Sequence, residues 1–222
     1  MNKFILFALL LGLNTNIFAQ VKLGKYNLVA NRAAVTKVNI KGKAAVRVVK
    51  DTTVKKVDEP TFAKLVAADF KNGTIEVKVL SKLLSTAPAY ARGFIGIAYR
   101  INQDNTTYES IYIRPTNGRA EDQVRRNHSI QYYAYPDWKF DRLRKEAPEA
   151  FEAYADMQLD TWITLRIEVK ENVAKLFLDN REQPSLFVNT PKDVKAKAGA
   201  IGLWVDIGTE GFFTDLKITK ID

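Results

Sequence analysis

The sequence has no cysteine, a single histidine (His128) and two methionines. Without cysteine there can be no disulfide and no thiolate metal site. With one histidine, a transition-metal site would have to be assembled almost wholly from carboxylates. Long apolar runs are missing after the first 19 residues, so no later segment reads as a membrane span. Acid is the scarcer charge: 25 Asp and Glu stand against 34 Lys and Arg, a formal net charge of +9. The surplus is dispersed, with no basic block, stripe or nucleic-acid motif, which argues against a nucleic-acid partner. No GxSxG elbow accompanies the lone histidine. Gly199, Gly202, Gly208 and Gly211 do not form a phosphate loop and read as strand and bulge glycines.

The chain opens MNKFILFALLLGLNTNIFAQ. A positive start at Lys3, an apolar run from Phe4 to Leu13 and the small residue Ala19 read as a secretory signal peptide, 1–19, cleaved after Ala19. The run is too short to span a bilayer, and no cysteine follows it to carry a lipid. The remainder, 20–222, reads as one domain without linker or repeat, soluble in a periplasm or outside the cell. Lys3 is the only charge in the first 19 residues, so the positive surplus belongs to the exported part. Dispersed positive charge suits solubility, and it also suits an acidic polysaccharide.

Alternating or β-branched runs predict strands at 43–50, 73–80, 93–101, 107–114, 129–135, 161–170, 173–179, 199–207 and 212–221. Nine or more strands joined by turn-rich connections predict an all-β, two-sheet antiparallel jelly-roll sandwich. The exception is 139–156, KFDRLRKEAPEAFEAYAD, whose charged and apolar residues sit at helical spacing. It predicts a short helical insertion, with Pro148 opening a second helix.

Alternation assigns each residue to a face. In TWITLRIEVK, Ile163, Leu165, Ile167 and Val169 form an apolar row. In GAIGLWVDI, Ile201, Leu203, Val205 and Ile207 do so, with Gly202, Trp204 and Asp206 opposite. In YESIYIR, Tyr108, Ser110, Tyr112 and Arg114 share the outer row; in GFIGIAYRI, Gly96, Ala98 and Arg100 do. The richest stretch is RRNHSIQYYAYPDW, 125–138, where Ser129, Gln131, Tyr133 and Tyr135 face outward. Outer rows of aromatics, small residues and arginine are the mixture that binds sugars, because rings cover pyranose C–H faces while polar groups bond hydroxyls. The candidate substrate-binding residues are Arg100, Arg114, Arg126, Asn127 and Gln131, together with Tyr135, Trp138 and Trp204. The alternative for the same residues is an aromatic ladder of cross-strand pairs.

The stretches DFKNGTIEVKV (69–79), ARGFIGIAYRI (91–101), YESIYIRPTNGRAEDQ (108–123) and GAIGLWVDIGTEGFFTDLKIT (199–219) resemble the concanavalin A-like lectin/glucanase superfamily. The likeness is to its bacterial exported members related to laminin-G-like and 3-keto-disaccharide hydrolase-type domains, and it runs over roughly 43–221. It implies a jelly roll whose concave sheet cradles saccharide, and says far less about chemistry, since the fold hosts lectins, hydrolases, lyases and interaction modules.

The glucanase signature of that superfamily, ExDxxE or ExDxE on one strand, is absent. Glu76 is followed by Lys78, while Glu149, Glu152 and Asp156 fall in the helical insertion, where they are expected to cap and solvate helices. A carboxyl pair from separate strands would draw on Asp206, Glu210, Asp137 and Asp122. For a lyase acting on uronic acids, His128 and Tyr133 are the candidate catalytic residues, with nearby arginines keeping the imidazole neutral. No cofactor is expected, although a structural Ca²⁺ could be held through loop oxygens at 101–107 or 118–123. The expected function is therefore an exported protein that binds an oligo- or polysaccharide, neutral or acidic, on its concave sheet. A glycoside hydrolase or lyase on the same face, and a structural or protein-interaction sandwich, are the alternatives. The sequence does not specify the oligomeric state.

Overall fold

A computed structural model describes residues 21–221; the expected signal peptide lies outside the described residues. In the first part of the chain the strands are β1 (Val21–Leu23), β2 (Tyr26–Asn31), β3 (Ala33–Ile40), β4 (Lys43–Lys50), β5 (Phe62–Leu65) and β6 (Asn72–Leu83). Then come β7 (Ile95–Ile101), β8 (Tyr108–Ile113), helix α1 (Gln123–Asn127), β9 (Ile130–Tyr135), helix α2 (Phe140–Glu146) and β10 (Glu152–Ala153). The chain closes with β11 (Ile163–Lys170), β12 (Val173–Leu178), β13 (Leu186–Asn189), β14 (Ala200–Val205) and β15 (Thr209–Ile221).

These strands form two antiparallel sheets packed as a sandwich. One has the spatial order β1-β2-β5-β14-β7-β8-β9-β10, the other β13-β12-β11-β6-β15-β4-β3. The registers follow the apolar alternation: Leu203, Ile97, Ile111 and Tyr132 align across β14, β7, β8 and β9, and Leu165 meets Val77 across β11 and β6. These inward rows, with Ile75, Val79, Ile167 and Phe213, are buried between the sheets. Each such side chain contributes about 1.5–3 kcal/mol relative to exposure.

The expected two-sheet jelly roll is therefore present, with a small helical element. Its first three strands and β5, β10 and β13 were not legible as runs. β3, for example, has intermediate and exposed residues throughout, so no strict apolar alternation marks it. The 139–156 insertion also differs from expectation. α2 forms, but Pro148 opens no second helix; the chain turns, with Glu149 at φ +65°, and re-enters the sheet as β10. Pairing with β9 decides this, since Tyr132 N–H donates to Phe151 O at 2.9 Å and the two rings stack at 5.6 Å. Arg126 and Asn127, which precede the strand expected at 129–135, lie on α1, and His128 is its C-cap.

A candidate binding cleft on the eight-stranded sheet

The outer row of the eight-stranded sheet is not an open platform. Trp204, Tyr133 and Phe62 are fully buried, and Tyr112 and Tyr108 nearly so. Gly96 explains part of the packing: it lies opposite Tyr112 on one neighbour and Trp204 on the other. With no side chain between them, the two rings close to 4.8 Å between centroids. Tyr133 packs edge-on against both Tyr112 and Tyr108, and its hydroxyl shares a 2.9 Å hydrogen bond with that of Tyr108.

Two segments cover this second core. The loop 51–61 lies over Trp204, whose Nε1–H donates to Glu59 O at 2.9 Å. The segment leading into α2 meets that loop from the other side: Lys139 Nζ donates to Glu59 Oε1 at 2.7 Å, and Phe140 N–H to Asp58 Oδ2 at 3.2 Å. The helical insertion thus closes over the sheet face rather than merely guarding its edge.

Where the cover stops, at the end of the strands marked by Ile95, Ile113 and Val205, a cleft of about 510 Å³ opens. Tyr112, Arg114 and Asp206 form its floor. Asp58 and Val57 stand on one side, and Phe140 and Arg144 of α2 on another. Tyr90, Arg92 and Phe94 precede β7, while Asn117, Asp122, Val124, Arg125 and His128 come from the turn and α1 that join β8 to β9. The floor is rigid. Arg114 donates to His128 O (2.9 Å), Glu152 Oε1 (2.9 Å), Tyr112 OH (2.7 Å) and Gln131 Oε1 (3.0 Å).

Glu152 is not the exposed helix-capping acid expected. It is buried on β10, bonded by both Arg114 and Arg144, with His128 Nε2 at 3.5 Å. Burial opposes its ionisation, but the Arg144 hydrogen bonds and the charges of Arg114 and Arg144 outweigh that and hold its carboxyl below the usual range. Burial lowers the His128 imidazole, helped by Arg144 and Arg114 and opposed by Glu152. Asp58 behaves oppositely: burial first, then the charge of Asp206, push it up to about 7, against the Phe140 N–H, Arg114 and Lys139. Asp206 is ion-paired with buried Lys50 on Oδ1, which also accepts from Ile207 N–H at 2.7 Å, while Oδ2 accepts from Asp58 N–H at 2.8 Å.

The expected site residues therefore divide. Arg114 and His128 reach the cleft. Gln131 is buried, accepting from Arg114 and donating to Tyr132 O. Tyr133 and Trp204 belong to the covered core and do not line the cleft, so His128 and Tyr133 do not share it. Tyr135 and Trp138 line a smaller cleft of about 280 Å³ at the opposite strand ends, with Asp137, Lys195 and Lys197. There Tyr135 stacks on Tyr108, and Trp138 is bonded to Asp193 at 2.9 Å with the Arg142 guanidinium 3.7 Å over its ring. Arg100 borders that second cleft but is turned into the interior: a register shift between β7 and β14, with φ +54° at Arg100, takes it off the outer row. Its guanidinium donates to Glu109 Oε1, Lys71 O and Glu171 O, each at 2.8 Å, joining the two sheets. Arg126 and Asn127 bond Gln123 on α1, at 2.6 and 2.7 Å, and do not line the cleft.

Sequence reasoning missed Asp58, Arg92, Phe94, Arg125, Phe140 and Arg144. The legible signal for Arg125 was Asp122, an N-cap whose Oδ1 accepts Arg125 N–H at 2.8 Å; recognising α1 turns Arg125 and Arg126 to different sides. Of the other carboxyls considered, Asp122 stands at the cleft, Asp137 in the second cleft, and Glu210 pairs with Arg47 on the other sheet at 2.5 Å. Among the described residues no group of three or more His, Asp or Glu is placed to hold a metal ion. In the loop 101–107, Asn102 Oδ1 accepts from Thr106 and Thr107 N–H; in 118–123, Asp122 caps α1.

The chain has a two-sheet antiparallel β-sandwich fold that solved structures of other proteins share. A carbohydrate-binding module, CBM66 from Bacillus subtilis, superposes with a TM-score of 0.53 at 12% identity, covering 84% of this chain and 94% of that one. Domain 4 of AbnA, a GH43 extracellular arabinanase from Geobacillus stearothermophilus, in complex with arabinotriose, gives 0.47 at 11% identity, covering 88% and 82%. Galectin LEC-6 from Caenorhabditis elegans gives 0.44 at 11%, covering 71% and 91%. No protein-family model matches the sequence, and no curated protein does. No helix of the described residues is long and apolar enough to cross a membrane.

Proposed function

We propose that this is an exported protein that binds a glycan in the cleft bounded by Asp58, α1 and α2. The observation that carries the reading is the composition of that cleft. The rings of Tyr90, Phe94 and Phe140 stand beside arginine, asparagine and histidine donors, the pairing of apolar faces with hydrogen-bonding groups that a sugar presents. Sharing a fold with a carbohydrate-binding module supports it, and the apolar run of residues 4–13 supports export. Calorimetric titration against a panel of neutral and acidic oligosaccharides tests it. Binding to at least one member is expected, weakened about two- to tenfold by Tyr90→Ala, since one aromatic contact contributes about 0.5–1.5 kcal/mol. Absence of binding across the panel overturns the reading.

A second reading, glycan cleavage in the same cleft, is favoured by Asp58, a carboxyl that keeps its proton up to about pH 7. Binding ranks first because Asp206 has both oxygens occupied by Lys50, Ile207 N–H and Asp58 N–H, which leaves no free second carboxylate beside it. Release of reducing ends from the same panel, abolished by Asp58→Asn, would put cleavage first.

A further inference from the structure

Most charges around the cleft are matched. Arg114 and Arg144 share Glu152, Lys50 holds Asp206, and Lys139 holds Glu59. Arg92 and Arg125 are the exceptions. Both line the cleft, on either side of the turn Pro115–Asn117, and Thr116 N–H donates to Arg92 O at 3.3 Å. Neither guanidinium meets a carboxylate among the described residues. Arg92 Nη1 donates only to the carbonyls of Ala89 and Ala91, at 2.8 and 2.9 Å. Arg125 donates to Asn117 Oδ1 (2.9 Å), Thr116 O (3.2 Å) and Thr116 Oγ1 (3.0 Å), all neutral acceptors. Asp122 is nearby, but its Oδ1 is engaged by the Arg125 backbone N–H. Arg92 Nη2 and Arg125 Nη1 make no hydrogen bond among the described residues.

We infer that Arg92 and Arg125 form a seat for an oxyanion carried by the saccharide, a uronic carboxylate or a sulfate ester, so that the cleft takes an acidic glycan. The inference rests on the glycan-binding reading and names its ligand class. Like charges are brought together here without compensation. Burial first, and then the charges of Arg125 and Arg114, disfavour the charged form of Arg92. A neutral hydroxyl cannot relieve that repulsion, whereas an oxyanion spanning the two guanidiniums relieves it and accepts from their unused N–H groups. The bonds that each guanidinium already makes to carbonyl, amide and hydroxyl oxygens restrict its orientation in advance, which limits the side-chain entropy lost on binding.

The test is calorimetric titration of the purified protein with an oligogalacturonate, its fully methyl-esterified neutral form, and a sulfated galactan oligosaccharide. One acidic probe should bind at least about tenfold more tightly than the neutral ester, with affinity falling as salt rises. Which acidic probe binds identifies the anion. Arg92→Gln and Arg125→Gln should each weaken it about tenfold, and Arg92→Lys should restore part of the loss. Arg92→Gln should leave the fold intact, checked by an unchanged thermal midpoint, because the Arg92 side chain bonds only the carbonyls of Ala89 and Ala91. If acid and ester bind alike and both variants match the parent, or if neutral oligosaccharides bind while both acidic probes do not, the seat is wrong and the glycan cleft stands. If no saccharide binds, neutral or acidic, both readings fall.

Discussion

At the residue scale, Asp58 is the group whose chemistry departs furthest from its sequence context. It stands in a polar loop, DTTVKKVDEP, yet is buried, with φ +52°, its N–H on Asp206 and its carboxylate accepting from the start of α2. Its carboxyl moves from the ordinary 3.8 to about 7, so the folded state keeps a proton that the unfolded chain releases. Folding then takes up a proton across that interval, and stability falls as pH rises through it. Denaturant unfolding of the parent from about pH 4 to about pH 8 should show that decline. In Asp58→Asn, which cannot ionise, the slope should shrink, and above pH 7 the variant should be the more stable. An unchanged slope in the variant would assign the pH dependence to other groups.

At the scale of elements, one carboxylate ties β10 and α2 to each other and to the end of β8. Glu152 receives Arg114 from beyond β8 and Arg144 from α2, which joins three segments at a buried point. Glu152→Gln leaves the buried Arg114 guanidinium without a counter-charge, and breaking a buried pair in this way costs about 3–5 kcal/mol. Thermal unfolding should register that loss. The His128 imidazole should also titrate lower still, by NMR, because Glu152, ahead of Glu149, favours its protonated form. Among the glycines of this sheet, Gly96 has the least room for a side chain. A Cβ there would collide with the Ile111 carbonyl and with the Cα of Tyr112, both on the neighbouring strand. Gly96→Ala should cost about 1–3 kcal/mol by overpacking, measured by denaturant midpoint, and should perturb the Tyr112–Trp204 pair seen in tryptophan fluorescence.

At the scale of the molecule, the two ends of the eight-stranded sheet carry different clefts: arginines, among them Arg92 and Arg125, line the end near Arg114, and Lys195, Lys197, Asp137 and Asp193 line the opposite end. The proposed export gives a direct expectation. Expressed with its own N-terminus in a bacterial host, the protein should be recovered outside the cytoplasm with Gln20 as its first residue, by mass spectrometry. Recovery of the uncleaved chain in the cytoplasm would contradict the reading of residues 1–19.

The jelly-roll sandwich could be read directly from the chain, because side-chain alternation has a period of two and reports which face each residue takes. Ile163, Leu165, Ile167 and Val169 are buried as their row required. The same rule placed Tyr133, Trp204 and Tyr112 on one outer face, and they do lie together there. Alternation carries no information about what lies over a face, which is set by segments distant in sequence. Loop 51–61 and the entry to α2 meet over those rings and turn an expected sugar platform into a second core. The bulge at Arg100 reversed one side chain, and helix α1 turned Arg125 rather than Arg126 toward the cleft. Composition and periodicity determined the sheets and the aromatic character of one face. Only tertiary closure decided which polar groups remain unpaired, because pairing depends on contacts between residues such as Arg92 and Arg125 that no local pattern records.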